Sequence, residues 1–434
     1  MAASPTHADK LTPGDLASKN DGGYVTGLPL FAYSTDLGLG LGARAYYYWN
    51  GHPDDPRFAT TPYLYRLFLQ GFASTGGTQF HWLDFDAPRI FDTPYRVRSQ
   101  LIWQRNTNTN YFGLGEHALP PLAFPGPGAG RSFTRYDDYA RAQQQIGADG
   151  QTYGKYDQYD LLRPIFIASV ERLVLDDRVR VLGGVGASYA RIRDYSGKQV
   201  DASDAAGRTV QATEATTRLA TDCAAGRLVG CAGGRDDFLR LGISYDTRDF
   251  EPDPNSGTFI DLALDTGTAA LGSEYDYVRF LIAARGYWSP APDAADLVLA
   301  GRLTFEAQSN GAPFFSMNTL PFTEDPRTGL GGHRTLRGFR QDRFVGSVMT
   351  LANGEVRWTF GHARIAGQRF GFIVAPFLDL GRPYDSLSGL SPRNWQTSYG
   401  GAFRIAWNLA TIITVDYGRS SEDTGFYVNF NHIF

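Results

Sequence analysis

The sequence predicts an all-β protein, a sixteen-stranded antiparallel transmembrane β-barrel with long extracellular loops. Three observations predict the barrel. Apolar residues recur with a period of two, the opposite phase is rich in glycine and sparse in charge, and turn signals separate sixteen such segments along 434 residues. Fifty glycines, 29 Phe, 24 Tyr and 7 Trp stand against three Met. No run of about 18 apolar residues exists, which excludes a transmembrane helix but not strands, whose alternation escapes hydropathy windows. The 41 basic and 45 acidic residues nearly cancel, so no nucleic-acid surface is implied; only Lys10, Lys19, Lys155 and Lys198 are lysines.

Residues 1–27 are polar with Pro and Gly, and are expected to form a short flexible periplasmic segment ahead of a barrel over 28–434. Met1–Pro5 carries no basic stretch followed by an apolar run. The chain is therefore either cytosolic or a mature form whose export signal has been removed. The first strand, near 28–34, is short and contains Pro29, so sparse pairing with the last strand is expected. In the second, 38–49, Leu39, Leu41, Ala43, Ala45, Tyr47 and Trp49 share one face opposite Gly38, Gly40, Gly42 and Arg44. These glycines sit inside a strand rather than opening a helix, which fits a lumen face and not a dinucleotide site.

Further strands are expected near 62–74, 77–87, 94–105, 156–171, 178–194 and 236–247. In the last of these, Leu239, Leu241, Ile243 and Tyr245 oppose Arg240, Gly242, Ser244 and Asp246. Then follow 257–267, 274–289, 295–308, 346–361, 367–380, 397–408, 411–419 and 425–433. A soluble sandwich would turn its large apolar residues inward and expose a densely charged face. Here the sparse, glycine-rich face suits a lumen, and the aliphatic face with terminal aromatics suits outer-membrane lipids and lipopolysaccharide.

The long connections, near 106–155, 195–235 and 309–345, all follow odd-numbered strands and so emerge on one side, the asymmetry of an outer-membrane barrel. Cys223 and Cys231 lie in the second, as a small disulfide loop or as two free thiols. At the end of the chain, Phe426, Val428, Phe430 and Phe434 form an aromatic face that looks like the strand by which such barrels are recognised for assembly.

Several motifs occur in order: Tyr111-Phe112-Gly113-Leu114-Gly115; Tyr245-Asp246-Thr247-Arg248-Asp249 with Pro254 and Gly257; Leu336-Arg337-Gly338-Phe339; Asn353-Gly354-Glu355; and Phe377-Leu378-Asp379-Leu380-Gly381. With them the chain resembles the superfamily of outer-membrane insertases and transporters that includes BamA, TamA and the two-partner secretion transporters. The third motif matches that family's signature in its sixth extracellular loop, and the last its aromatic-x-Asp-x-Gly strand signature. Family members that insert or secrete proteins carry POTRA modules ahead of the barrel. Residues 1–27 cannot hold one, so the resemblance implies a short member without them, and a separately encoded periplasmic partner could replace them.

The phase of the strands agrees with that resemblance. Gly354, Val356, Trp358 and Phe360 share the lipid phase, which leaves Asn353, Glu355 and Arg357 inward; in the next strand Phe377 and Asp379 are inward. The resemblance implies a sixth extracellular loop folded into the lumen, and if it folds back so, Arg337 can pair with both Glu355 and Asp379 through its planar fork of donors. Gly338 allows the sharp turn, and Phe339 packs against the lumen. Arg337, Gly338, Phe339, Glu355, Phe377 and Asp379 then form a loop-to-barrel clasp, either serving transport or only helping the barrel assemble.

No Gly-x-Ser-x-Gly, Walker loop, His-Glu-x-x-His or Cys-x-x-Cys occurs, so no catalytic residue, cofactor or metal ligand is assigned. Asp246, Asp249, Glu251 and Asp253 read as a periplasmic turn rather than a calcium site. The expected function is translocation or membrane insertion of polypeptide or lipid-linked cargo in the outer membrane of a Gram-negative bacterium. The alternatives are a passive solute pore tuned by Arg44, Arg240, Arg279 and Arg404, and a scaffold that anchors a periplasmic partner.

Overall fold

The computed structural model describes residues 20–55, 58, 63–126, 131–176, 178–249, 253–291, 296–323, 327–365, 368–407 and 411–434. Sixteen strands close into one antiparallel barrel in chain order. They are β1 Gly23–Ser34, β2 Gly38–Trp49, β3 Tyr65–Ser74, β4 Thr78–Ala87, β5 Tyr95–Asn110, β6 Gln158–Val174, β7 Val179–Arg193 and β8 Gly233–Asp246. The second half comprises β9 Gly257–Gly267, β10 Tyr277–Trp288, β11 Leu297–Gln308, β12 Val348–Ile365, β13 Gln368–Tyr384, β14 Gln396–Trp407, β15 Thr411–Arg419 and β16 Thr424–Phe430. No helix among the described residues is long and apolar enough to cross a membrane.

The period of two sets the inside and the outside. Leu41, Leu69, Leu101, Val170, Leu241, Leu303, Leu378 and Tyr399 are exposed on the outer surface, whereas Arg163, Arg240, Asp265, Arg302, Glu355 and Asp379 are buried within. Lipid can solvate the first set, while only mutual pairing can accommodate the second.

β1 begins at Gly23, ahead of the expected residue 28, and is twelve residues long. Its first half is polar and aromatic rather than aliphatic, which hid it from an apolar pattern; the Tyr24 ring stacks on Tyr48 of β2 at 5.1 Å. Residues 1–19 of the expected N-terminal segment lie outside the described residues. Along its other edge β1 meets β16 only at Tyr33↔Val428 and Ser34↔Tyr427. Pro29, opposite Ala43 of β2, is tolerated because the neighbouring edge asks little of its missing N–H.

β16 ends at Phe430. Asn431 takes a left-handed conformation (φ 67°), which Asn adopts more readily than most residues, and the chain turns into the lumen. The expected outward alternation therefore stops short of Phe434, whose ring is buried with Tyr287, Val298 and Ala300.

At the long-loop rim, α1 (Tyr136–Gln144), α2 (Arg218–Ala224) and a small sheet of 151–152, 199–203 and 209–214 form a cap. Buried Asp157 ties it together, accepting from Tyr139 Oη (2.6 Å), Gln143 Nε2 (3.0 Å) and Arg218 Nε (2.7 Å). Cys223 and Cys231 are joined by a disulfide, resolving the two alternatives.

Candidate functional site: the lumen clasp

The connection between β11 and β12 carries its own small core. Leu320, Phe322, Leu330, Leu336, Phe339 and Phe344 pack together and against Leu281 of β10 and Met349 and Leu351 of β12. Phe339 meets Phe344 edge-on at 5.1 Å. This packing fixes the backbone on either side of Arg337, which is fully buried.

Arg337 uses its whole fork. Nε and Nη2 each donate to Asp379 at 2.9 Å, and Nη1 donates to Glu355 Oε1 at 2.7 Å and to Asp416 Oδ1 at 3.1 Å. Its backbone N–H also reaches Asp379, at 3.1 Å. The guanidinium lies over the Phe377 ring, 3.3 Å from the centroid. Asn353 donates to Asp379 (2.8 Å) and to the Thr335 carbonyl (2.7 Å), locking carboxylate and loop together. At Gly338 (φ 102°) a Cβ would fall 2.7 Å from the backbone of Arg419, and at Gly418 one would fall 2.6 Å from the carbonyl carbon of Arg337. Loop and β15 thus touch backbone to backbone, which only glycine permits.

The structure brings Arg337, Glu355, Phe377 and Asp379 together with Gly338 at the approach to β15, places Phe339 in the adjoining apolar core of the loop, and adds three residues. Arg404 of β14 donates to both Glu355 oxygens (2.9 and 2.7 Å), Arg357 donates to Glu355 Oε2 at 2.9 Å, and Asp416 of β15 completes the ring. Three guanidiniums therefore face three carboxylates. Arg357 lies two residues from Glu355 on the same inward phase, whereas Arg404 and Asp416 come from strands outside the loop and its motifs, and only register shows that these two converge.

Past Phe339, the same loop grips both sides of the seam. Arg340 donates to the Thr35 carbonyl in the β1–β2 turn and forms an ion pair with Asp423 in the β15–β16 turn at 2.8 Å. Arg343 pairs with Glu422 at 2.6 Å. Burial pushes the Asp342 carboxyl up to about 7, reinforced by Asp36, and burial pushes Asp423 up to about 6 despite Arg340.

The arginines read as pore-tuning are engaged. Arg240 pairs with Asp265 at 2.7 Å, Arg279 donates to the Ser316 carbonyl at 2.7 Å, and Arg404 belongs to the clasp. Arg44 faces the Phe430 ring at 5.4 Å. Of the four acidic residues near β8, Asp246 pairs with Arg248 (2.7 Å), Asp249 accepts from the backbone of Asn255 (2.9 Å), and Asp253 meets His432 (2.8 Å). Glu251 lies outside the described residues. Phe426, Val428 and Phe430 keep the outward phase of β16, while Phe434 is inside.

A family model described as the Omp85 superfamily domain matches residues 78–432, and one described as a domain of unknown function (DUF5982) matches residues 4–64. Among solved structures, BamA from Haemophilus ducreyi lacking POTRA domains 1–3 is similar, with a TM-score of 0.54 and 11% identity. That match covers 95% of this chain and 70% of that one. CdiB from Escherichia coli is also similar, with a TM-score of 0.52 and 10% identity over 93% of this chain and 62% of that one. At such identities the likeness is one of fold. No curated protein sequence matches the chain.

Proposed function

The chain belongs to the Omp85 superfamily, and from that premise we propose that it moves polypeptide or lipid-linked cargo across or into the outer membrane, through a lumen gated by its inward-folded loop 309–345. Omp85-family barrels are outer-membrane proteins of Gram-negative bacteria. The observation that carries the reading is the complete burial of Arg337 among Asp379, Glu355 and Asp416. Buried ion clusters add little net stability over an apolar core, but they specify one arrangement sharply and fail when one partner leaves. Such a contact suits a part that must hold one position and yet be released.

In this reading Arg337, Gly338, Phe339, Glu355, Phe377 and Asp379 hold the gate, and Phe426, Val428 and Phe430 present the outward face used in assembly. The two-residue seam between β1 and β16 is the weakest junction of the wall, and Arg340 and Arg343 pin its long-loop end. A separately encoded periplasmic protein would deliver cargo to the short-turn rim, and outer-membrane lipids would surround the wall. The engagement of Arg240, Arg279 and Arg404 with neighbouring groups speaks against their serving a steady passage of small solutes.

Planar-bilayer conductance, with and without residues 329–345, tests the gate. The intact barrel is expected to be nearly silent and the deletion to conduct steadily. Equal steady current from both would make this a plain pore, and a sealed deletion variant that co-purifies with a partner would make it a scaffold.

A further inference from the structure

The inner wall of the barrel is covered unevenly. Along β9 and β10 the inward residues from Phe259 to Asp265 and from Tyr277 to Tyr287 are buried. Along β1 to β4 most inward residues stay half-buried, so the less covered lane of the lumen runs here. Six aromatic rings climb that lane in succession. Tyr24 stacks on Tyr48 at 5.1 Å and 17°, and Tyr48 on Tyr46 at 5.7 Å and 15°. Tyr46 then meets Phe68 at 4.8 Å, Phe68 meets Trp82 at 5.1 Å, and Trp82 meets Phe80 at 6.3 Å. The series starts at the second residue of β1, on the short-turn side, and ends at the third residue of β4, on the long-loop side. Polar groups stand beside the rings. In the register Gln70 lies opposite both Arg44 and Trp82, and Gln104 opposite Phe80. Among the described residues the Trp82 Nε1 and Arg44 Nε donors have no acceptor. The two carboxylates of this wall are already paired, Asp84 with Arg66 at 2.6 Å and Asp86 with Arg96 at 2.7 Å.

We infer that this lane binds a neutral glycan chain, with sugar rings lying against the aromatic faces. A pyranose presents a face of C–H groups edged by hydroxyls, and the negative face of an aromatic ring attracts those C–H groups. The Gln70 and Gln104 carboxamides carry donor and acceptor together, which suits hydroxyls that are both. A hydrocarbon chain would leave those carboxamides unpaired. An extended peptide draws its affinity from a run of main-chain partners, which rings do not supply. Successive rings let a bound chain advance stepwise, because each step exchanges one stacking contact for a similar one. The inference deepens the transport reading by naming a glycan as the lumen-borne part of a lipid-linked cargo. It rests on that reading for movement and not for binding.

The test is isothermal titration calorimetry on the full-length barrel, in a detergent without a sugar headgroup, with maltohexaose, cellohexaose and chitohexaose. Saturable binding of at least one hexasaccharide is expected. Tyr46→Leu combined with Trp82→Leu should weaken it about tenfold, the worth of two lost ring contacts. Should the double variant fail to fold, Tyr46→Leu alone should cost about threefold. Tyr47→Leu removes the outward ring between Tyr46 and Tyr48 and should leave binding unchanged. Decaproline, which also stacks on aromatic faces, is the polypeptide control and should bind about tenfold more weakly or not at all. No saturable hexasaccharide binding, binding indifferent to Tyr46 and Trp82, an equal loss in Tyr47→Leu, or tighter binding of decaproline would overturn the inference. A barrel that binds the hexasaccharide and transports nothing would keep the site and refute the transport reading alone.

Discussion

Arg337 shows how one side chain can hold a loop in place. Replacing it by Ala leaves Glu355, Asp379 and Asp416 with one fewer buried cation, a loss on the order of 3–5 kcal/mol. The expected result is a clear drop in the melting temperature of the folded barrel and faster proteolysis within 309–345. Arg337→Lys should recover only part of it, since a point charge cannot serve three carboxylates and a ring together. Gly338→Ala should release the loop while leaving every charge in place, because a Cβ there collides with the Arg419 backbone. Unchanged protease protection in that variant would show that the close approach is dispensable. Asp342 gives the loop a pH dependence. Its folded value near 7 lies above the usual carboxyl range, so the folded loop holds an extra proton between about pH 4 and 7. The associated stability is complete below that window and is lost as pH rises through 7. Loop proteolysis should therefore be slower at pH 5 than at pH 8, and Asp342→Asn should flatten the difference by protecting the loop at both.

Among elements, β12 and β13 pair over the longest span, with a register shift between Thr359 and Gly361, and carry Glu355 and Asp379, while β1 and β16 share two residue pairs. The seam-facing amides of Gly23–Ala32 should accordingly exchange with deuterium much faster than those between β12 and β13. Uniform protection around the barrel would contradict so sparse a seam. The disulfide in the β7–β8 connection acts on another element, the cap. Reduction of Cys223–Cys231 should speed proteolysis of 194–232 and leave the barrel's melting temperature within a degree or two, because no strand register depends on it. The register of β14 and β15 was open to an approximate reading from alternation. That Arg404 and Asp416 stand level with Glu355 follows only from the stagger of neighbouring strands, which a periodicity cannot supply.

At the scale of the whole molecule, the loop between β11 and β12 and the C-terminal segment are joined through shared arginines. Arg302 touches the loop at Arg334 and the C-terminal segment at Ile433, and Arg404 touches Glu355 and His432. Loosening one segment removes partners from the other. Phe434→Ala should therefore raise loop proteolysis modestly, by about two- to threefold on the premise that contacting groups couple by 0.5 kcal/mol or more. No change at all would mean that the two segments are independent.

The sequence by itself determined the sixteen-stranded antiparallel barrel and the inward phase of Glu355 and Asp379, while the pairing of Arg337 with them was conditional on a loop turned into the lumen. Period-two alternation and the motif residues carry those features locally. Tertiary structure alone decided that Arg404 and Asp416 complete the cluster, that β1 reaches back to Gly23, and that Phe434 lies inside. The alternation of Phe426, Val428 and Phe430 would extend equally well to an outward Phe434. What turns the chain inward is a single left-handed residue, Asn431, together with guanidiniums supplied by strands more than a hundred residues earlier in the case of Arg302. Preferences of that kind depend on what stands across the lumen, and no local pattern records it.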